Sequence, residues 1–369
     1  MKCNLADICE YAKDKIDVTI LDEDIYISTE NMMPNKGGIT RASSLPTIAQ
    51  TQAFLDGDVL VSNIRPYFKK IWFAEFDGGC SNDVLVFRAK DGVNKRFLYY
   101  VLANDTFFDY SMATSKGTKM PRGDKVAIMK YDVPDFTYEK QEKIARILDV
   151  LDRKIQLNTE INKNLEQQAQ AIYNKMFSHI TIEKKELSKI IEVRDGTHTS
   201  PKAQNSGFPL ITSKHLLPFG VDKSSANLIS KDDFDKINKR SLVETQDILM
   251  SMIGTIGLIS YIPYQTVDFA IKNVALFKTS QIPELAYYFI CYLKSSEVQQ
   301  HIEKCLAGST QKYISLGELR KMPTYQPAIT ELQNFNHVVK PMFDEIVLRN
   351  NENNILVNIR DTLLPKLMS

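Results

Sequence analysis

QEKIARILDVLDRKIQLNTEINKNLEQQAQAIYNKMF, residues 141–177, contains neither glycine nor proline. Steps of alternately four and three residues from Ile144 to Met176 select apolar side chains at both ends and asparagines in the middle. This spacing is typical of a heptad seam about five repeats long and predicts one long helix. An apolar stripe on an isolated helix would face water, so the helix needs a partner. We expect its spacer and partner-docking positions to be Ile144, Leu148, Leu151, Ile155, Asn162, Leu165 and Ile172.

The same seam returns near the end of the sequence, 191 residues later. Phe335 corresponds to Ile144, and Asn353 corresponds to Asn162, so the polar middle is repeated as well. Pro341 interrupts the second pattern, and we expect it either to kink the helix or to mark its true start. The spacer and docking positions of this second helix are Val339, Met342, Ile346, Asn353, Leu356, Leu363 and Leu367.

The segments ahead of the two helices also correspond. GDVLVSNIRP (57–66) matches QDILMSMIGT (246–255), and KGTKMPRGDKVAIMKYDVP (116–134) matches AGSTQKYISLGELRKMPTYQP (307–327). Short β-rich runs and turn signals dominate these segments, which indicates an α+β fold. The sequence therefore predicts two similar mixed α/β domains in tandem, each followed by a long helix, with boundaries at 1–140, 141–178, 179–328 and 329–369.

We expect the two long helices to pack antiparallel as a coiled-coil spacer. A helix of ~36 residues is ~54 Å long. Two modules on such a spacer suit a bipartite linear target, such as DNA half-sites about one helical turn (~34–36 Å) apart. The alternative is a coiled-coil scaffold that carries two protein-binding domains and binds no DNA.

The composition is that of an ordinary globular protein. Its 369 residues carry 46 Lys+Arg against 45 Asp+Glu, a net charge of +1, which excludes a nucleic-acid binder that works by bulk charge. The 5 cysteines form no CxxC pair and the 5 histidines show no ligand spacing, so we expect neither a disulfide framework nor a metal site. The sequence has no apolar run long enough for a membrane span, and MKCNLADICEYAKDK lacks the apolar core of a signal peptide. We therefore expect a cytoplasmic protein that does not contact a membrane.

The segments EKQEKIARILDVLDRKIQLNTEINKNLEQQAQAIYNKMF and LRNNENNILVNIRDTLLPKLMS, together with VRDGTHTSPK, GFPLITSKHL and GSTQKYISLGEL, give the chain a family resemblance. It resembles the specificity subunit of type I restriction–modification systems over essentially its whole length. The resemblance implies two target-recognition domains that each read half of an asymmetric, bipartite double-stranded DNA sequence. It also implies spacer helices that dock two methyltransferase subunits, in a complex completed by motor-endonuclease subunits.

The sequence contains no recognisable catalytic motif. It lacks the GxxxxGK[ST] loop of ATP-binding motors and the Asn/Asp-Pro-Pro-aromatic motif with which DNA amine methyltransferases grip a flipped base. The resemblance implies that S-adenosylmethionine, ATP and magnesium are bound by the partner subunits and that this chain binds no cofactor. We therefore expect a binding protein and not an enzyme.

Basic and polar loops are the candidate DNA-binding elements, because phosphate contacts give affinity and base-edge contacts give specificity. The candidates in the first half are Arg65, Tyr67, Lys69, Lys116, Lys119, Arg122 and Lys125. Those in the second half are Thr197, His198, Lys202, Lys214, Thr310, Gln311, Lys312 and Tyr313. The first half offers arginines, which pair well with guanine, and the second half offers Gln311, a residue type that pairs well with adenine. Such a difference is expected of modules that read different half-sites. The alternative for each residue is an ordinary solvated side chain, and for His198 a turn-stabilising one.

Overall fold

The computed structural model describes residues 2–177, 184–308 and 312–368. The chain divides into two compact units: unit 1 is Met1–Gln156 with Asn354–Ser369, and unit 2 is Leu157–Asn353. Both units mix short strands with helices, which confirms the predicted α+β class. No helix in these described ranges is both long and apolar enough to cross a membrane.

Unit 1 is built on two four-stranded sheets, in the orders β2-β9-β6-β7 and β3-β5-β8-β4. Strand β6 is buried on both faces, because Val59 and Val61 pack against helices α2 and α3 while Leu60 packs beside Trp72. The elements that precede the first long helix are β1 (Lys2–Asn4), α1 (Leu5–Ile8), β2 (Cys9–Tyr11), β3 (Lys15–Asp17), β4 (Tyr26–Ile27), β5 (Gln50–Phe54), β6 (Val59–Ser62), β7 (Ile71–Phe73), β8 (Gly78–Cys80), β9 (Val84–Ala89), α2 (Lys95–Ala103), α3 (Asp105–Ala113), α4 (Lys125–Ile128) and β10 (Asp132–Pro134).

The first long helix, α5, runs from Tyr138 to Phe177, and the second, α10, from Ile329 to Leu367. Between them, unit 2 repeats the first four-stranded sheet of unit 1 in the order β12-β20-β17-β18. Its elements are β11 (Lys185–Glu186), β12 (Val193–Asp195), β13 (Phe208–Ile211), β14 (Leu216–Leu217), β15 (Gly220–Val221), β16 (Asn227–Ile229), α6 (Lys231–Ser241), β17 (Ile248–Ser251), β18 (Ile259–Tyr261), β19 (Ala270–Ile271), β20 (Val274–Phe277), α7 (Ala286–Lys294), α8 (Ser296–Lys304), α9 (Leu316–Arg320) and β21 (Pro323–Thr324).

The sequence repeat is visible element by element. Helix α3 begins after Asn104, whose side chain accepts a hydrogen bond from Thr106 N, and α8 begins after Ser295, which caps Val298 N in the same way. The second sheets differ, since β8 lies between β5 and β4 in unit 1, whereas β13 lies between β16 and β19 in unit 2. The two units therefore share one sheet with its helices and diverge in the other sheet.

Within each unit, segments of α5 and α10 pack against one another. In unit 1, Ile144 and Leu148 share a core with Leu364 and with the half-buried Leu363 and Leu367. In unit 2 the corresponding core contains Val339 and Ile346, together with the half-buried Leu165, Ile172 and Met342. Leu151, Ile155 and Leu356 are half-buried as well. Ile144, Leu148, Val339 and Ile346 thus lie in the core of their own unit, together with residues of the other long helix.

The polar middle of the seam is hydrogen-bonded. Asn158 Nδ2 donates to Asn353 Oδ1 at 2.8 Å, and Asn162 Nδ2 donates to Asn350 Oδ1 at 2.9 Å. A residue later in α5 thus pairs with a residue earlier in α10. The two helix segments of unit 2 are therefore antiparallel, as predicted. Arg349 Nη1 donates to Asn158 Oδ1 at 2.9 Å, which gives the buried amide a partner at both ends. Such buried polar contacts fix the register of a helix pair.

Pro341 does not mark the start of the second helix. Helix α10 is continuous from Ile329 through this position. Proline removes one helical hydrogen bond, but Val339 and Phe343 on either side are buried in the core of unit 2. Tertiary packing therefore outweighs the local signal on which that alternative rested.

Candidate nucleic-acid interface

The structure brings two separately predicted loops of unit 1 into contact. We call residues 63–70 turn A and residues 116–123 loop B. Arg65 N donates to Pro121 O at 2.8 Å, and Gly123 N donates to Asn63 O at 3.2 Å. Loop B is closed on itself by reciprocal 2.9 Å backbone hydrogen bonds between Lys116 and Arg122. The basic residues of the two loops therefore lie on one continuous surface.

Three of the cations on this surface have acidic partners. Lys69 Nζ lies 2.8 Å from Asp105, Lys116 Nζ lies 2.6 Å from Asp124, and Arg122 lies 3.1 Å from Asp83. The hydrogen bond from Lys116, with backbone N–H donors from Ala127 and Val126, lowers the pKa of Asp124 to about 2.

Lys119 and Lys125 are exposed and form no ion pair within the described parts of the chain. The paired cations are nevertheless available to phosphate, since exposed pairs contribute only about 0–1 kcal/mol and exchange partners readily.

Turn A contains two residues in an unusual backbone conformation. Arg65 and Lys69 both have φ near +50°, on either side of a short 3₁₀ turn formed by Pro66–Phe68. This left-handed region is costly for a residue with a Cβ and is normally occupied by glycine. The turn presents Tyr67 and Phe68, which are 48% and 38% exposed with ring centroids 4.7 Å apart. Two exposed aromatic rings beside basic side chains are suited to contact bases.

Unit 2 forms the same pair of loops with different side chains. We call residues 252–258 turn A′, and we call the described residues 307–308 and 312–314 loop B′. Tyr313 forms isolated antiparallel β-bridges with Ile253 and Ala307. In unit 1, Arg122 forms the same β-bridges with Ile64 and Lys116. Tyr313, which is 44% exposed, thus occupies the place of Arg122. Lys312 is exposed, whereas Thr310 and Gln311 lie outside the described residues.

Turn A′ uses glycine where turn A uses charged residues. Ser62 N donates to Lys70 O, and Ser251 N donates to Leu258 O, which aligns Arg65 with Gly254 and Lys69 with Gly257. The φ angles of these glycines are +80° and +83°, so the left-handed backbone is retained. Unit 1 therefore holds long basic side chains at positions where the same fold accepts glycine.

A second candidate loop of unit 2 is fixed by a network of hydrogen bonds. His198 Nε2 lies 2.9 Å from Asp195 Oδ2, and His198 Nδ1 lies 2.8 Å from Asn273 Oδ1. Thr197 forms a parallel β-bridge with Lys272, which directly follows strand β19. Both ring nitrogens of His198 are occupied, which agrees with the turn-stabilising interpretation.

Two further candidates, Lys202 and Lys214, are exposed: Lys202 lies in the same connection between β12 and β13 as Thr197 and His198, and Lys214 lies in the short 3₁₀ turn Ser213–His215. Beside Lys214, His215 is buried and accepts a hydrogen bond from Thr212 N at 2.9 Å through Nδ1. Burial, with a smaller contribution from Lys214, lowers the pKa of this imidazole. His215 therefore acts as a neutral cap within the loop.

Buried ion pairs lie at the starts of strands β6 and β17, whose other ends lead into turns A and A′. Asp58 is buried and accepts hydrogen bonds from Arg88 Nε at 2.9 Å and Nη2 at 2.7 Å. Asp247 is buried in unit 2 and pairs with Lys278 Nζ at 2.6 Å. Each aspartate also accepts a backbone N–H from the preceding turn, from Leu55 and Glu244 respectively. The strands that lead into turns A and A′ are thus fixed at their starts by these buried ion pairs, which we call the supports.

Within residues 2–177, 184–308 and 312–368, no group of three or more His, Cys, Asp or Glu side chains is placed to hold a metal ion. Cys9, Cys80 and Cys291 are buried, and burial raises the pKa of each thiol to about 12. These cysteines are therefore packing residues.

Comparisons with known proteins agree with this picture. Residues 1–167 match the type I restriction modification DNA specificity domain. The type I restriction enzyme MjaIX specificity subunit of Methanocaldococcus jannaschii is 25% identical over 305 residues, which span 76% of this chain and 69% of that protein. The HindI specificity subunit of Haemophilus influenzae is 31% identical over 185 residues, 47% of this chain and 40% of that protein. The crystal structure of the type I restriction–modification S subunit from M. genitalium superposes with a TM-score of 0.53 at 16% identity, covering 100% of this chain and 96% of that chain.

Proposed function

Because the chain belongs to the family of type I restriction–modification specificity subunits, which recognise DNA, we propose that it selects an asymmetric bipartite target. Each unit reads one half-site in this proposal. Turn A and loop B form the reading surface of unit 1, and turn A′ and loop B′ form that of unit 2. The chain acts by binding and holds no cofactor of its own.

One observation carries this proposal: the same loop pair recurs on the same support with different side chains. Arg65 and Arg122 stand in unit 1 where Gly254 and Tyr313 stand in unit 2. An arginine fork complements the O6 and N7 atoms of guanine, whereas a tyrosine hydroxyl and ring offer quite different contacts. An asymmetric target requires two equivalent loop pairs that carry different side chains.

We further propose that the long helices dock two methyltransferase subunits and that motor-endonuclease subunits complete the complex. The seam residues are already packed inside each unit, so docking falls to other positions. In unit 1 the apolar side chains of Ile147, Val150, Ile355 and Ile359 are 39%, 61%, 59% and 41% exposed.

These four residues lie at heptad positions c and g, counted from Leu148 at position a in α5 and Val339 at position a in α10. In an antiparallel pair the c and g flanks of both helices lie on the same side. The four side chains therefore form one apolar stripe, suited to an amphipathic helix of a partner. S-adenosylmethionine, ATP and magnesium are assigned to those partners, and the complex to the cytoplasm.

The test is a comparison of methylated sites produced by the chain with its methyltransferase partner. Replacing Lys119 and Arg122 by alanine should alter the preference at one half-site and leave the other intact. The matched control replaces Lys312 and Tyr313 by alanine and should affect only the opposite half-site. If either pair abolished both half-sites equally, the modular assignment would be wrong. A chain that binds its partner but directs no sequence-selective methylation would instead be a scaffold.

A further inference from the structure

A hairpin outside the predicted sites contacts turn A of unit 1. The hairpin is closed by a bridge between Met32 and Ile39 and by a 2.8 Å hydrogen bond from Met33 N to Gly38 O. At its tip, Asn35 and Lys36 have φ values of +55° and +61°. Asparagine is among the few residues with a Cβ that tolerate this left-handed conformation, and lysine is not. The tip therefore holds two polar side chains at a conformational cost.

Backbone and ionic contacts fix this tip against turn A. Asn35 N donates to Phe68 O at 2.8 Å, and Lys36 N donates to Lys69 O at 2.9 Å. Lys36 and Lys69 both lie 2.8 Å from the carboxylate of Asp105, which joins the hairpin to turn A. Burial alone would raise the pKa of Asp105, but the hydrogen bonds from the two lysines outweigh it and lower the pKa. The tip and turn A thus form one rigid element.

The two tip residues have different environments. The side chain of Lys36 is only 11% exposed and serves as the anchor. Asn35 is exposed, and its carboxamide has no hydrogen-bond partner among the described residues. The anchored backbone therefore presents an unused amide donor and acceptor beside Phe68 and Lys69 of turn A.

Unit 2 has the corresponding hairpin without this feature. Asn31 caps the start of the unit 1 hairpin by accepting from Ser28 N, and His215 does the same for Thr212 N in unit 2. The strands that follow in unit 2 are Leu216–Leu217 and Gly220–Val221. The short tip between them contains Phe219, which is buried against Phe343. The exposed asparagine is thus specific to the unit that also holds Arg65.

We propose that Asn35 is a base-reading residue of unit 1, pairing its carboxamide with the N6 and N7 edge of an adenine in the major groove. The carboxamide offers one acceptor and one donor in the plane that this edge requires. This assignment rests on the proposed function and adds a third element to the reading surface formed by turn A and loop B. It also explains why Lys36 occupies a left-handed position, since that residue anchors the asparagine.

The test uses the Asn35→Gly variant of the full chain in complex with its methyltransferase partner. Glycine keeps the left-handed backbone but removes the carboxamide, so thermal melting should be unchanged. Mapping of methylated sites should show that one position of one half-site loses its adenine preference by about tenfold or more. The other half-site should be unaffected. A Lys36→Met variant, which breaks the anchor, should weaken methylation at that half-site and broaden the same position.

Two results would overturn the assignment. One is an unchanged motif in Asn35→Gly, and the other is a uniform loss of methylation at all sites, which would identify a phosphate contact. A wild-type complex without sequence-selective methylation would refute the proposed function itself, so the two failures are distinguishable.

Discussion

Replacing Arg65 by glycine should separate recognition from stability. Arg65 has φ of +50°, and the equivalent position of unit 2 is Gly254 at +80°. The substitution therefore places in unit 1 a residue that the repeated fold already accepts. We expect the variant to fold normally and to lose selectivity at the half-site that unit 1 reads.

The magnitudes follow from the geometry of turn A. The left-handed conformation costs a residue with a Cβ about 1–2 kcal/mol, which glycine avoids. Glycine loses more conformational entropy on folding, about 0.5–1 kcal/mol. The unfolding free energy of unit 1 should therefore rise by about 0–1.5 kcal/mol, or at most about 6 °C in melting temperature. Loss of a bidentate arginine–guanine contact removes about 1–3 kcal/mol of discrimination, roughly a 5- to 150-fold change.

Thermal melting and methylated-site mapping of the same preparations would measure both quantities. An Arg65→Lys variant keeps the charge but loses the planar fork, so it should retain affinity and lose base preference. If Arg65→Gly lowered the melting temperature by several degrees, Arg65 would be a structural residue. If the methylated motif were unchanged in a stable variant, the inference from backbone strain to base reading would be refuted.

Three further substitutions test the supports and the docking stripe. Ile355→Glu charges a side chain that is 59% exposed and should abolish co-purification of the methyltransferase without changing the melting of unit 1. Lys278→Met leaves Asp247 buried without its cation and should lower the unfolding free energy of unit 2 by about 3–5 kcal/mol in denaturant titrations. Asn158→Leu removes the acceptor of Arg349 and should cost about 1–3 kcal/mol by the same measurement; an increase in stability would show that the polar contacts serve register alone.

The sequence predicts the long helices well because their signal is local and periodic. A heptad pattern depends only on spacing along the chain, and the packing of Ile144 and Leu148 follows from it. The repeat also predicts that two similar units exist. Pro341 shows the limit of local signals, since buried neighbours keep the helix continuous through it. Whether a helix continues through a proline is decided here by contacts between residues far apart in the chain. A short stretch of sequence does not reveal those contacts.

The reading surface is less predictable, for a different physical reason. The basic loops themselves could be identified from the sequence. That residues 63–70 lie beside residues 116–123 and form one surface with them depends on the folded backbone. The left-handed conformation of Arg65 could have been suspected from Gly254 in the other half. The match of 57–66 with 246–255 places the two positions opposite each other, but a glycine in one half does not require a left-handed residue in the other. Asn35 lies in a hairpin whose counterpart has no polar tip, so the repeat gives no indication of it.

The two supports explain how one scaffold can hold unequal readers. Asp58 pairs with Arg88 and Asp247 pairs with Lys278, so the cation differs while the buried aspartate and its backbone contact stay the same. Turns A and A′ follow the opposite ends of the supported strands and keep the same left-handed backbone, with Arg65 in one unit and Gly254 in the other. A change of side chain in the turn therefore disturbs neither the ion pair at the other end of the strand nor the sheet. Specificity can diverge between the units at little cost in stability, because recognition and folding depend on different residues.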